Sequence, residues 1–220
     1  MTQLRSRLKS GGALLPLIQV FLAPILLLAI VSLVSIYKGI SVGNFTRDPA
    51  FIADLNPFFG FISNVGVLCW CAAVVVCLLG GQVLYKHKNG QRLALFFLYF
   101  GLFTCLLMLD DLFLFHEVVF PGYLFIGEKI TIAGYGILLI GGLFYFKDVV
   151  MATDFTFLIL AIVMFGTSVF IDILQDPIEA IVGPWRILLE DGFKFLGIFA
   201  WLAYFWKNVQ FEIEKIMNTQ

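Results

Sequence analysis

An all-α, polytopic integral membrane protein with six transmembrane helices is the fold class this sequence predicts. Three observations predict it. Of the 220 residues, 61% are hydrophobic and only 13% are charged, about half the charged share of a soluble domain. The apolar residues fall into six long runs without the period-two alternation of barrel strands. The intervening segments are short and polar. A soluble domain of this size cannot bury so much apolar surface and still cover itself with polar groups. The formal net charge of -1 leaves no basic face for phosphates, so no nucleic-acid partner is expected. The lipid bilayer is the expected partner, and a homo-oligomer or larger membrane complex stays open.

Each run is long enough, or nearly so, for the roughly 20 apolar residues that cross a bilayer as a helix. They cover about 13–37, 58–85, 93–115, 125–146, 155–173 and 185–206. The first is too long for a signal peptide and lacks a small-residue cleavage site, so it reads as a retained span. Helices satisfy their own backbone hydrogen bonds in lipid, and one domain, 1–220, accounts for the whole chain. The segment from Gly39 to Pro57 is the one connection long enough for a cap or lid. Cys69, Cys71, Cys77 and Cys105 lie inside apolar runs and read as small apolar residues. Gly134, Gly136, Gly141 and Gly142 give the fourth helix a small surface for close packing.

Basic residues set the orientation. Arg5, Arg7, Lys9, Lys86, Lys88, Arg92, Lys147, Lys207 and Lys215 collect on one side, against Lys38, Arg47, Lys129 and Arg186 on the other. The richer side is expected to be cytoplasmic, and an even number of spans puts both termini there.

The acids then fall in one layer away from the cytoplasm. Asp110, Asp111, His116 and Glu117 close the third helix, and Glu128 opens the fourth. Asp172 and Asp176 end the fifth, while Glu190, Asp191 and Lys194 lie in the first turns of the sixth. Charged side chains at membrane depth are expensive, so they face protein or water and have partners. Asp110 and Glu117, seven residues apart, share a helical face at about 100° per residue, whereas Asp111 and His116 diverge from it. A break near Phe115 would relax that constraint. Glu190 and Lys194 have the i,i+4 spacing of an ion pair, and Asp172 is a second expected partner for Lys194.

Several carboxylates with one imidazole suit a hard or intermediate divalent metal ion. The candidate ligands are Asp110, Asp111, His116, Glu117, Asp172, Glu190 and Asp191, with Lys194 as charge partner. Zinc is less favoured with one His and no thiolate. The second His, His87, falls in a basic loop on the other side, so a bis-histidine heme is excluded. Two alternatives stand beside the metal or cation site. One is a small transporter or proton-coupled carrier. The other is an accessory subunit of a membrane complex, with no chemistry of its own, whose acids stabilise the assembly; the acids can also simply pair with Lys129, Arg186 and Lys194. No reaction is assigned.

The strings Ser63-Asn64-Val65-Gly66, Asp110-Asp111-Leu112-Phe113-Leu114-Phe115-His116-Glu117 and Glu190-Asp191-Gly192-Phe193-Lys194-Phe195-Leu196-Gly197 resemble an uncharacterised family of polytopic membrane proteins common in cyanobacteria. That resemblance implies a bacterial plasma or thylakoid membrane and carries no activity. Phe61-Ile62-Ser63-Asn64 and the Asp110-Asp111 pair are also similar to patterns of the alkaline ceramidase-like membrane hydrolases. Those enzymes hold zinc with three His. This chain has two, on opposite sides, so their activity is not carried over.

Overall fold

Helices account for nearly all the regular structure of the computed structural model, which describes residues 14–87 and 90–218; no strand occurs among them. The chain divides into two units, Met1–Phe59 and Gly60–Gln220. Arg5, Arg7, Lys9 and Lys88 lie outside the described residues.

The first unit holds α1 (Leu14–Lys38), α2 (Gly43–Thr46) and α3 (Pro49–Ile52). The long connection thus contains two single-turn helices. Asp48 caps α3, its Oδ1 accepting the Ala50 and Phe51 amides at 2.8 and 3.3 Å, with Pro49 supplying the favoured first helical residue.

The second unit begins at Gly60, whose φ of 70° is the left-handed turn into α4. Its elements are α4 (Phe61–Tyr85), α5 (Gln91–Phe113), a π-helical segment (Phe115–Leu124), α6 (Glu128–Tyr145), α7 (Lys147–Ala152), α8 (Thr156–Ile173), α9 (Gln175–Val182) and α10 (Trp185–Met217). Five helices are long and apolar enough to cross a membrane: Phe21–Lys38 within α1, then α4, α5, α6 and α8. The sixth expected run lies in α10, which continues eleven residues past Trp206 to Met217 and is about 50 Å long. Arg186, Glu190, Asp191 and Lys194 in its first turns, with Lys207 and Asn208 further on, keep it off the list of five.

The core of this unit is aromatic. Phe96, Phe97 and Phe100 of α5 and Trp201, Tyr204 and Phe205 of α10 are each at most 1% exposed. Their rings meet edge-on or tilted, as at Phe100–Trp201 (5.9 Å between centroids) and Trp201–Phe205 (5.1 Å), the arrangement that ring quadrupoles prefer. The few polar atoms inside are satisfied. The Trp201 indole donates to Thr104 Oγ1 at 2.9 Å, and Thr104 donates to the Phe100 carbonyl at 2.6 Å. Trp70 of α4 joins by stacking on Phe165 of α8 at 5.6 Å.

At one end, charges tie the helices together. The Arg92 guanidinium forks onto Asp148 at 3.1 and 3.2 Å and reaches the Tyr145 carbonyl at 2.5 Å, holding α7 against the start of α5. Lys207 bonds Asp154 at 2.5 Å, and this ammonium, together with Thr156, holds the Asp154 carboxyl down to about 2. The acidic layer lies at the other end.

Of the four glycines expected to give α6 a packing surface, one does so. A Cβ at Gly142 would come within 2.3 Å of Tyr99, whereas Gly134, Gly136 and Gly141 face open space. Tyr99 lies across Gly142 and donates to the Leu138 carbonyl at 2.7 Å, so α6 docks on α5 through this contact. Gly142→Ala is expected to destabilise by about 1–3 kcal/mol through overpacking, and Gly141→Ala by no more than about 0.5 kcal/mol. Thermal unfolding in detergent compares the two.

Candidate functional site

The acidic end is built around a break in the chain. The helix α5 stops at Phe113 because Leu114 adopts a left-handed conformation, φ 54° and ψ 45°. Non-glycine residues are uncommon there, and each costs about 1–2 kcal/mol. The π-helical segment follows and ends at Phe125, also left-handed with φ 57°. The break lies next to Phe115, where one relaxes the divergence of the four side chains.

Its consequence is that His116 swings back over the end of α5. The His116 backbone amide donates to Asp110 Oδ1 at 2.9 Å, and the ring Nδ1 bonds Asp110 Oδ2. The Tyr135 hydroxyl of α6 donates to Asp110 Oδ1 at 2.9 Å. Asp110 is only 4% exposed, so both oxygens of a buried carboxylate are satisfied from three donors on two neighbouring elements. The other ring nitrogen, His116 Nε2, faces Glu117 Oε1 at 3.5 Å. Glu117 is half exposed. His116 therefore stands between a buried carboxylate and a solvent-facing one.

Asp111, one residue on, points away by about one helical step of 100°. It accepts the Trp70 indole N–H at 2.8 Å and the Lys194 ammonium at 2.5 Å. One carboxylate thus joins α4, α5 and α10. Lys194 lies nine residues inside α10, where an unpaired ammonium would be costly. Beside this pair is a cleft of about 60 Å³ bounded by Ser63, Gly66, Asp111, Asp191 and Lys194, with room for only a few water molecules.

The remaining acids are arranged separately. Glu190 pairs with Arg186 one turn earlier, and Arg186 also lies 3.5 Å from Glu179 of α9. The expected Glu190–Lys194 pair is not formed. Lys194 takes Asp111 instead, because Arg186 already occupies Glu190 from the same helix face. Asp172 is half-buried and close enough to Glu190 to repel it, and it is not the partner of Lys194. Glu179 is exposed, and Glu190 is only partly buried rather than enclosed between helices.

This arrangement gives no support to a shared metal site. Among the described residues, no three His, Cys, Asp or Glu side chains are placed to hold a metal ion. The physical reason is that neighbouring acids on a helix diverge, and each is met by its own donor: Asp110 by His116 and Tyr135, Asp111 by Trp70 and Lys194, Glu190 by Arg186. The layer is a set of linked pairs.

Electrostatics single out His116, which follows the α5 span. The hydrogen bond to Asp110 is the main cause that raises its pKa from the ordinary 6.5. Burial opposes this, the charges of Asp110 and Glu117 reinforce it, and Lys194 opposes it from the neighbouring pair. The two carboxylate clusters are thus electrostatically linked through His116 and Lys194.

Trp70 and Tyr135 are functional partners that residue type and spacing did not single out. A signal existed for Trp70, which lies mid-run in a span although Trp favours span ends. For Tyr135 the signal was weaker, a phenol among the small residues of α6.

A family model for a domain of unknown function, DUF8692, matches residues 19–208. The chain belongs to this family. The match takes in α4, α5, α6 and α8, the π-helical segment and every residue of the acidic end described above. No curated protein and no solved structure matches the chain.

The pairing predicts a stability hierarchy. Lys194→Met leaves Asp111 with only the Trp70 donor, and is expected to cost about 1–3 kcal/mol, as for a buried acceptor losing its partner. Lys194→Arg should recover most of it. The double variant Lys194→Met/Asp111→Asn should be more stable than Lys194→Met alone. Thermal unfolding in detergent measures all three.

Proposed function

We propose that this chain is a proton-coupled membrane protein, with six spans, that loads and unloads a proton at His116. The observation that carries the reading is the bridging position of His116 between buried Asp110 and exposed Glu117. A neutral imidazole keeps its Nδ1 proton on Asp110 and presents Nε2 to Glu117, and the charged ring donates to both. Glu117 can then pass a proton between the aqueous face and the ring, and Tyr135 orients the Asp110 carboxylate that stabilises the charged form. Asp111 and Lys194 lie alongside, so a change of charge at His116 acts directly on the bridge that joins α4, α5 and α10. This is chemistry of a carrier rather than an open channel, because the aromatic layer of Phe96, Phe100, Trp201 and Phe205 closes the middle of the bundle.

In this reading α10 is the sixth span, its acidic first turns sheltered by Arg186 and by Asp111. Both termini are cytoplasmic, and the chain resides in a bacterial plasma or thylakoid membrane. The basic residues at the Arg92 and Lys207 end support that orientation. An accessory role within a larger membrane assembly is the second reading, favoured by the same closed core.

The sign of the pH dependence follows from the raised pKa of His116. Its pairing with Asp110 contributes fully below about pH 6.5 and is lost as the pH rises through the higher folded value. The parent protein should therefore lose thermal stability over that window, and His116→Gln should flatten the loss. In proteoliposomes with an internal pH dye, His116→Gln and Asp110→Asn should abolish pH-driven proton uptake that the parent supports. Parent liposomes no more permeable to protons than empty ones would remove the carrier reading and leave the accessory one. For orientation, Ser6→Cys and Asn218→Cys in a background without native cysteines should both resist impermeant thiol reagents in intact cells; labelling of either reverses the topology.

A further inference from the structure

A second polar feature lies at the opposite, basic end of the bundle, where α4 ends and α5 begins. An open groove of about 390 Å³ is bordered by Gln82, Tyr85, Lys86 and Leu98, a volume in the range of small-molecule sites, about 300–1,000 Å³. Leu98 of α5 forms its apolar floor. It rests on Gly81, where a Cβ would come within 2.9 Å of Leu98 Cγ, so the missing side chain sets how deep the floor lies. Gln82, Tyr85 and Lys86 are exposed around it. None of their side-chain polar groups has a hydrogen bond or ion pair with another described residue.

That combination is unusual for its place. Gln82 lies inside a helix long and apolar enough to cross a membrane, one turn before the last residue, Tyr85. An amide there without a partner is unfavourable in hydrocarbon. The nearby arginine and lysine at this end are engaged: Arg92 holds Asp148, and Lys207 holds Asp154. Lys86 has no ion-pair partner among the described residues and faces outward to meet an external anion. A groove with an apolar floor, an amide, a phenol and an ammonium at the end of two adjacent spans matches a phospholipid, whose phosphate meets the ammonium, whose glycerol esters meet the amide, and whose chains follow Leu98.

We propose that this groove binds the headgroup of an anionic phospholipid from the leaflet at the basic end, with Lys86 holding the phosphate and Gln82 the glycerol ester region. Charge complementarity favours an anionic headgroup over a zwitterionic one, since a lysine at an anionic membrane surface adds about fivefold to binding. The proposal is independent of proton exchange at His116, which lies at the other end.

The test uses the full chain in detergent, with phosphatidylglycerol or phosphatidylcholine titrated in and bound lipid counted by native mass spectrometry. Phosphatidylglycerol should bind at lower concentration than phosphatidylcholine. Lys86→Gln should raise the phosphatidylglycerol concentration required about fivefold and weaken phosphatidylcholine, whose choline offsets the phosphate charge, by less. Lys86→Arg should bind as the parent does, and Gln82→Leu should weaken both lipids. Lys147→Gln, a change at the same end but outside the groove, should have no effect. Unchanged melting of Lys86→Gln in phosphatidylcholine checks that the fold is intact. Equal binding of the two lipids, or equal loss from Lys86→Gln and Lys147→Gln, would overturn the site. Displacement of phosphatidylglycerol by excess inorganic phosphate alone would also overturn it, marking a soluble-anion site.

Discussion

Two consecutive carboxylates, Asp110 and Asp111, stand at the end of an otherwise apolar helix, and most of the acidic end is arranged to satisfy them. A carboxylate at such a position is tolerated only with donors of its own. Neighbouring residues on a helix diverge, so one set of donors cannot serve both. Asp110 draws on the π-helical segment and α6, and Asp111 on α4 and α10. The pair thereby ties α5 to the π-helical segment, α6, α4 and α10. The left-handed Leu114 follows from the same demand. An unbroken helix would carry His116 away from Asp110, and the strain of the break is offset by two hydrogen bonds to a buried charge.

The two ends of the bundle differ in kind. At the basic end, Arg92–Asp148 and Lys207–Asp154 are exposed pairs whose effect is local and screened. At the acidic end Asp110, Asp111 and His116 are largely covered, and the His116–Asp110 and Lys194–Asp111 pairs cross between elements, so the charges of His116 and Lys194 act on one another. His116 is the member whose charge can change near neutral pH, and it sits beside Lys194, which bridges the longest helix to Asp111. The aromatic layer between the ends keeps these two chemistries apart.

The architecture was legible in the sequence because apolar runs long enough to cross a bilayer admit few alternatives. Five of the six expected runs correspond to apolar helices whose ends lie within a few residues of expectation. The sixth differs because Arg186, Glu190, Asp191 and Lys194 make the start of α10 polar, with Arg186 pairing to Glu190 within the helix and Lys194 to Asp111 of α5. The acidic layer was legible as a gathering of residue types at one end. Its pairings were not. Helical spacing favoured Glu190–Lys194, yet Arg186, equally close on the other side, takes Glu190, and Lys194 reaches Asp111 across 83 positions of sequence. Spacing along one helix cannot rank a local partner against a distant one, because the ranking depends on how the helices pack. The same limit hid Trp70 and Tyr135, whose roles come from the helix face they present. The metal-ligand expectation met the same limit: Asp110, Asp111 and Glu190 share an end of the bundle but point to separate donors.

The hold of Asp110 on His116 underlies the acidic end, and a direct titration of the His116 ring tests it. Nitrogen NMR of the imidazole in the parent and in Asp110→Asn, followed against pH in detergent micelles, reads the ring proton itself. His116 in the parent should keep its second proton to a pH above 6.5, and Asp110→Asn should move the titration to lower pH. Identical titrations in the two proteins, or a parent ring that is already neutral below pH 6.5, would contradict it.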